Sequence, residues 1–350
     1  MDRFIGLDVH GQSCTLAVMG PSGRRIGQEV VETNGKLLVE RILGVAGDRR
    51  LCMEEGSQSE WLYEVLEPHL KQLVVVQPLR NPGSKSDAID AWALADVLRR
   101  DAVTANVFKA PKAFTALRQA ARAYVATQQD LVRAKNRLHA VYRSRGIRPT
   151  SEIYQPEPRT TWLRKLPQQH RCLAELLSQE VDALTASHEK SEAWLLEEAR
   201  RVPVCRRLAT APGIGPIRSA LVVAIVISPH RFRSTRQFWN YSGLGIVTRS
   251  SADWVRSQGK WIHQPVAQTR GLNRRCQPLL KAIFKGAATT VIELMPRHPL
   301  HDDYRRTTEA GTKPNLAKLT LSRRIAAAVL AMWKHEEDYD PAKHRSVQQS

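Results

Sequence analysis

The first 110 residues alternate short apolar runs with amphipathic stretches, and that order leaves few folds open. FIGLDV (Phe4–Val9), TLAVMG (Thr15–Gly20) and RIGQEVVET (Arg25–Thr33) read as three successive strands. The Pro21-Ser22-Gly23 link is too short for a crossover, so the second and third strands must form an antiparallel hairpin. Asn34 caps a helix to about Ala46. RLCME (Arg50–Glu54) follows as a fourth strand, then a helix containing WLYEVLEPHL, then QLVVVQP as a fifth strand. After Asn81-Pro82-Gly83 comes a last helix, KSDAIDAWALADVLRR (Lys85–Arg100). The order βββαβαβα predicts an α/β domain over residues 1–110, a mixed sheet with flanking helices.

The remaining chain reads differently. In residues 111–200, Leu117, Tyr124, Leu131 and Leu138 recur every seven residues, with Ala120, Thr127, Ala134 and Val141 three further on. That is a coiled-coil-like seam. A second helix is expected from about Leu173 to Arg200, after a Pro-containing link at Gln155–Pro167. The pair suits an antiparallel helical hairpin or a dimerising arm, and equally an intramolecular helix pair. Residues 201–338 read as a mostly α-helical domain, ending in a helix after Pro314. Residues 339–350 read as a polar, disordered tail.

Charge separates these regions. The chain carries a formal net charge of +19, yet residues 1–110 hold 13 Lys+Arg against 15 Asp+Glu. Residues 199–292 hold sixteen Lys+Arg and one acid, Asp253. Such a bias is the footprint of a polyphosphate partner. No apolar run is long enough to span a bilayer, and the N-terminus shows no signal-peptide pattern. Five scattered cysteines without a CxxC pair argue against a disulfide framework or zinc site. A cytoplasmic, nucleoid-associated protein is expected.

The acids of the first domain sit where apolar residues belong. Asp8 interrupts the first strand, and a charge there is costly unless paired or bound to metal. Glu54 and Glu55 end the fourth strand. Asp87 and Asp90, spaced i and i+3, share a helix face, with Asp96 off it. In a βββαβαβα sheet the first and fourth strands can be neighbours and this helix can cross their ends, so the carboxylates would converge. All-oxygen donors of this kind suit Mg²⁺ or Mn²⁺. The bland alternative is a capping pair at Asp87/Asp90 plus unrelated surface acids. GLDVHG also resembles the first phosphate loop of actin-like ATPases, but no second Gly-rich phosphate motif follows.

In the basic domain, TAPGIGPIRSALVVAIV (Thr210–Val226) carries the Gly213-x-Gly215 turn of a helix-hairpin-helix. Its second helix would offer backbone N–H groups to a DNA phosphate, with Arg218 beside them. A plain packing corner could look alike. FRSTRQFWNYSGLG (Phe232–Gly245) interleaves Arg with Trp239 and Tyr241, which could stack on bases, although core packing is the commoner use of aromatics. IVTRSSADW holds Arg249, Ser250 and Ser251. QTRGLNRRCQPLLKAIFKGAA is expected to begin a helix and to present Arg270, Asn273, Arg274 and Arg275 to phosphates.

Together these landmarks, in order and spacing, resemble the DEDD transposases of the insertion-sequence one-ten type, bridge-RNA-guided recombinases, over nearly the whole chain. The resemblance implies a RuvC/RNase H-like N-terminal domain whose four acids, Asp8, Glu55 (or Glu54), Asp87 and Asp90, bind Mg²⁺. It implies a C-terminal transposase domain with a serine nucleophile forming a phosphoserine link to DNA. It also implies a structured guide RNA, and a homo-oligomer, dimer or tetramer, whose subunits share active sites. Family members have one Glu before Gly/Ala-Thr. Matching Gly56-Ser57 to that pattern selects Glu55, and matching the strand end selects Glu54. Aligning GLGIVTRSS selects Ser251 as nucleophile, with Ser250 the alternative. The competing readings are a RuvC-like, metal-dependent endonuclease on branched DNA without a covalent intermediate, and a nucleic-acid-binding protein whose acids are structural.

Overall fold

The computed structural model describes residues 1–78, 86–103, 106–249, 254–263 and 269–345. The chain forms two compact units, Met1–Lys112 and Ala113–Ser350.

The first unit follows the expected order. Strands β1 (Asp2–Val9), β2 (Ser13–Met19) and β3 (Arg25–Glu32) precede helix α1 (Gly35–Gly44). Then come β4 (Asp48–Glu54), α2 (Ser59–Leu66), β5 (Gln72–Val76) and α3 (Asp87–Arg99). The sheet order is β3-β2-β1-β4-β5. β1 and β2 pair antiparallel, as do β2 and β3, whereas β1, β4 and β5 run parallel, so the sheet is mixed. Asn34 caps α1 as expected, its side chain accepting from the N–H groups of Lys36 and Leu37. Ser86 caps α3 by accepting from Ile89 N–H.

Strand alternation sorts the β1 residues onto two faces. Ile5 and Leu7 join Leu51 and Met53 in a core with Leu38, Ile42, Leu62 and Leu66 of α1 and α2. Phe4 joins Cys52, Val74 and Val76 in a second core with Ala91, Trp92 and Ala95 of α3. Gly6 lies between Phe4 and Asp8 on this second face. A Cβ there would overlap the carbonyl oxygen of Ala91, so α3 crosses β1 at a distance only glycine permits.

The second unit opens with α4 (Thr115–Arg143), α5 (Pro156–Arg164) and α6 (Gln168–Arg200). The heptad seam is buried, but its partner is α6 of the same chain, run antiparallel. Thr127 meets Ser191 at 2.8 Å, and Arg137 pairs with Glu180. Two expectations shift here. The Pro-containing link holds α5, and α6 starts at Gln168 rather than near Leu173. Proline suits the first turn of a helix, where its missing N–H costs nothing, so Pro156 and Pro167 start helices instead of breaking them.

Next come α7 (Pro203–Leu208), α8 (Gly215–Val226) and α9 (Thr235–Tyr241), then four short strands. These are β6 (Ile246–Arg249), β7 (Trp254–Ser257), β8 (Lys260–His263) and β9 (Thr269–Leu272). α10 (Pro278–Leu294), α11 (Pro299–Glu309), α12 (Pro314–His335) and the short α13 (Pro341–Arg345) follow. The strands were not anticipated. In particular, QTRGL does not begin a helix: Thr269–Leu272 pairs antiparallel with β6, and the helix starts at Pro278. Four-residue strands rich in Arg and Lys are too short to show a period. One core joins Leu117 and Tyr124 of α4 and Leu195 of α6 to α8, α10 and α12, so the base of the helical hairpin belongs to the basic region's core. Of the tail expected to be disordered, residues 346–350 lie outside the described residues, and the described part is held at Tyr339. Its backbone N–H donates to the Thr210 hydroxyl at 3.0 Å, and its ring lies against His298. Among the described residues, no helix is long and apolar enough to cross a membrane.

Candidate metal centre and basic region

Asp8 and Glu54 lie at the carboxyl ends of adjacent parallel strands, where open α/β sheets place ligand crevices. Gly6 pairs with Cys52 and Leu7 with Met53. Continuing that register sets Asp8 beside Glu54, both two residues beyond the Gly6/Cys52 pair and so on the face covered by α3. Glu55 takes the opposite phase. Its carboxylate pairs with Lys109, whose side chain is only 8% exposed and also donates to the Ser59 hydroxyl at 2.8 Å.

The close crossing at Gly6 brings the N-terminus of α3 to the same place. Asp87 is the first residue of α3 and Asp90 lies one turn on. His10 sits between the two elements: its Nε2 is 3.1 Å from Asp8 Oδ2 and 3.3 Å from Asp87 Oδ1. Burial pushes the Asp8 carboxyl above its ordinary pKa, against the pull of His10, and the charges of Asp87 and Asp90 push it further up. The Asp8 charge in turn raises His10, against partial burial, with Asp87 adding to the rise. Three carboxylates therefore act on one site, with the His10 imidazole between Asp8 and Asp87. A cleft of about 130 Å³ adjoins them, lined by Asp8, His10, Glu54, Glu55 and Ser57 among others.

The donor set fits a divalent cation. Ligating atoms of Asp8, His10 and Asp87 all lie within 4.8 Å of one another. Carboxylate oxygens suit Mg²⁺ and Mn²⁺, and the imidazole nitrogen is more usual with Mn²⁺. Asp96 stands apart, bound to Arg99 at 2.6 Å and Arg100 at 2.7 Å. Sequence reasoning missed His10 and Lys109. His10 was visible as a second polar residue at the strand end, in LDVH; Lys109 is far from the acids in sequence and nothing local marks it.

In the basic unit, Gly213 and Gly215 both have positive φ, at 70° and 60°. A Cβ on Gly213 would strike the Ala287 carbonyl of α10, so this glycine also serves packing. Arg218 is half-buried: it donates to the Gly213 carbonyl and, at 3.0 Å, to the Thr290 hydroxyl, tying the turn to α10. Asn273 likewise shapes its own turn, donating to the carbonyls of Asn240 and Arg275 and accepting from Arg275 N–H. Arg274 and Arg275 are exposed. Arg249 and Arg270 lie on the paired strands β6 and β9, in register with Thr269 and Thr248 respectively. Trp239 donates to the Arg323 carbonyl and packs on the core, as does Tyr241. Ser250 and Ser251 lie outside the described residues.

Two family models match the chain. Residues 5–144 match a family model for DEDD transposases of the IS110 type, described as "Transposase". Residues 205–299 match the model "Transposase IS116/IS110/IS902 family". Among curated proteins, "Putative transposase y4pF/y4sB" of Sinorhizobium fredii (strain NBRC 101917 / NGR234) is 28% identical over 193 residues. That alignment covers 49% of this chain, and the chain spans about half the length of that relative.

Proposed function

The chain belongs to the IS110 family of transposases, and on that premise we propose that it moves an insertion sequence by cutting and rejoining DNA. What supports this reading is the group of Asp8, His10 and Asp87 at the end of β1, with Glu54 lining the adjoining cleft and the Asp90 charge acting on Asp8, in a chain whose other unit is strongly basic. In a RuvC-like domain, these four acids would hold Mg²⁺ or Mn²⁺. Bound there, a divalent cation would supply Lewis-acid polarisation of the scissile phosphate. Glu54 replaces Glu55 in this set, because Glu55 is engaged by Lys109.

The chain's own residues then have separate tasks. The carboxylates keep a site whose repulsion favours cation entry. Lys109 neutralises Glu55 and leaves Glu54 as the strand-end acid. Arg249, Arg270, Arg274 and Arg275 meet DNA phosphates. The α7–α8 turn, read as a helix-hairpin-helix, offers backbone N–H groups, and Arg218 and Asn273 hold local geometry rather than contact DNA. Ser251, or Ser250 beside it, attacks phosphorus. The phosphoserine bond forms, a sugar oxygen leaves, and the serine proton is taken up by that oxygen or a base. A guide RNA would choose the site by base pairing, and subunits of an oligomer would combine acids and serines.

Trapping under denaturing conditions tests the reading. Wild type with Mg²⁺ and element-end DNA should yield a covalent protein–DNA adduct that Ser251→Ala/Ser250→Ala lacks. Cleavage by both proteins without an adduct would leave a metal-dependent endonuclease instead.

A further inference from the structure

β7 and β8 form a two-stranded hairpin closed by Gln258 and Gly259, both at positive φ (50° and 79°), as a tight two-residue turn requires. Trp254 is 58% exposed and Trp261 66%, and neither belongs to a hydrophobic cluster among the described residues. By contrast Trp92, Trp162 and Trp333 are buried. An isolated hairpin gains little from pairing alone, so two exposed indoles are a poor use of aromatic surface unless something covers them.

The register places them together. Arg256 pairs directly with Trp261, and opposite residues of an antiparallel pair share a face. Trp254, two residues before Arg256, lies on that face too. Trp254 and Trp261 are therefore diagonal neighbours, which stand about 7–8 Å apart, with a guanidinium between strands beside them. The hairpin carries Arg256 and Lys260 and no acid. Exposed aromatics interleaved with cations are the surface that unpaired bases and their phosphates cover. A duplex keeps its base faces stacked and would engage the cations alone.

We propose that the β7–β8 hairpin is a stacking platform for unpaired nucleobases, with Trp254 and Trp261 receiving bases and Arg256 the adjoining phosphate. This rests on the transposase reading, and it locates where that reaction holds an opened strand.

Fluorescence anisotropy with the full chain tests it, using labelled single-stranded DNA, single-stranded RNA of the same sequence, and the DNA duplex. Trp254→Ala/Trp261→Ala should weaken binding to a single strand about tenfold or more, with the slope against salt and duplex affinity both unchanged. Trp254→Phe/Trp261→Phe should retain single-strand binding within about threefold, since a phenyl ring still stacks. The strand type losing more identifies the source of the bases. An unimpaired alanine variant overturns the platform alone, and so does an equal loss on duplex. Wild type that binds no nucleic acid overturns the platform and the transposase reading together. Both indoles lie outside the cores, so circular dichroism should show the variants folded.

Discussion

The two units treat charge in opposite ways. In the first, acids sit at the ends of buried strands, held by a sheet and by a helix that crosses it at Gly6. In the second, cations lie on short strands and turns at the surface, while half-buried polar groups, such as Arg218 and Asn273, tie the scaffold together. Like charges must be forced together to make a cation site, and only a rigid frame can do that. Phosphates attract cations from a distance, so their partners need charge more than exact placement. The basic region can therefore rely on exposed loops where the acidic one cannot.

The sharpest way to break this contrast is to remove an acid. Asp8→Ala and Glu54→Ala should each lower excision and strand exchange by about a thousandfold, several kcal/mol of transition-state stabilisation, while leaving RNA and DNA binding nearly intact. Glu55→Ala should retain most activity, because its carboxylate serves Lys109. If Glu55→Ala is dead and Glu54→Ala active, the face assignment is reversed. Next in size is Gly6→Ala. The new methyl group would push α3 from β1, costing about 1–3 kcal/mol of stability by denaturant unfolding and displacing Asp87 and Asp90 from Asp8. Unchanged stability together with normal exchange would sink the claim that close crossing builds the site.

Smaller effects probe the basic side. Arg274→Gln/Arg275→Gln should weaken binding evenly across sequences and reduce the slope of log affinity against log salt by roughly 0.9 per charge removed. A loss confined to one sequence would mean that these arginines read bases. Smallest of all, Asp96→Asn should change stability by about 1 kcal/mol or less, as for other partly exposed pairs, and leave exchange rates alone. A large activity loss would return Asp96 to the acid site.

Much was legible beforehand because it is local. The βββαβαβα order, the Pro-Ser-Gly hairpin and the Asn34 cap depend on neighbours within a few residues. So did the suspicion of Asp8, a charge inside an apolar strand. The short strands β6 to β9 were hidden because four residues cannot display a period, and α5 because proline can open a helix as well as end one. The intramolecular contacts of Arg218, Asn273 and Trp239 were hidden because an arginine, an amide or an indole looks the same in sequence whether it faces a ligand or a carbonyl.

The sequence by itself determined the strand and helix order of the first unit, the charge split between the units, and the set of acids worth watching. These follow from periodicity and composition, which are written residue by residue. Only the tertiary structure paired Glu55 with Lys109, and only it brought His10 to Asp8 and Asp87. Neighbouring residues on a strand point to opposite faces, so which carboxylate joins the site depends on register with β1 and on where α3 packs. Those are long-range facts, set by burial of the sheet's two faces.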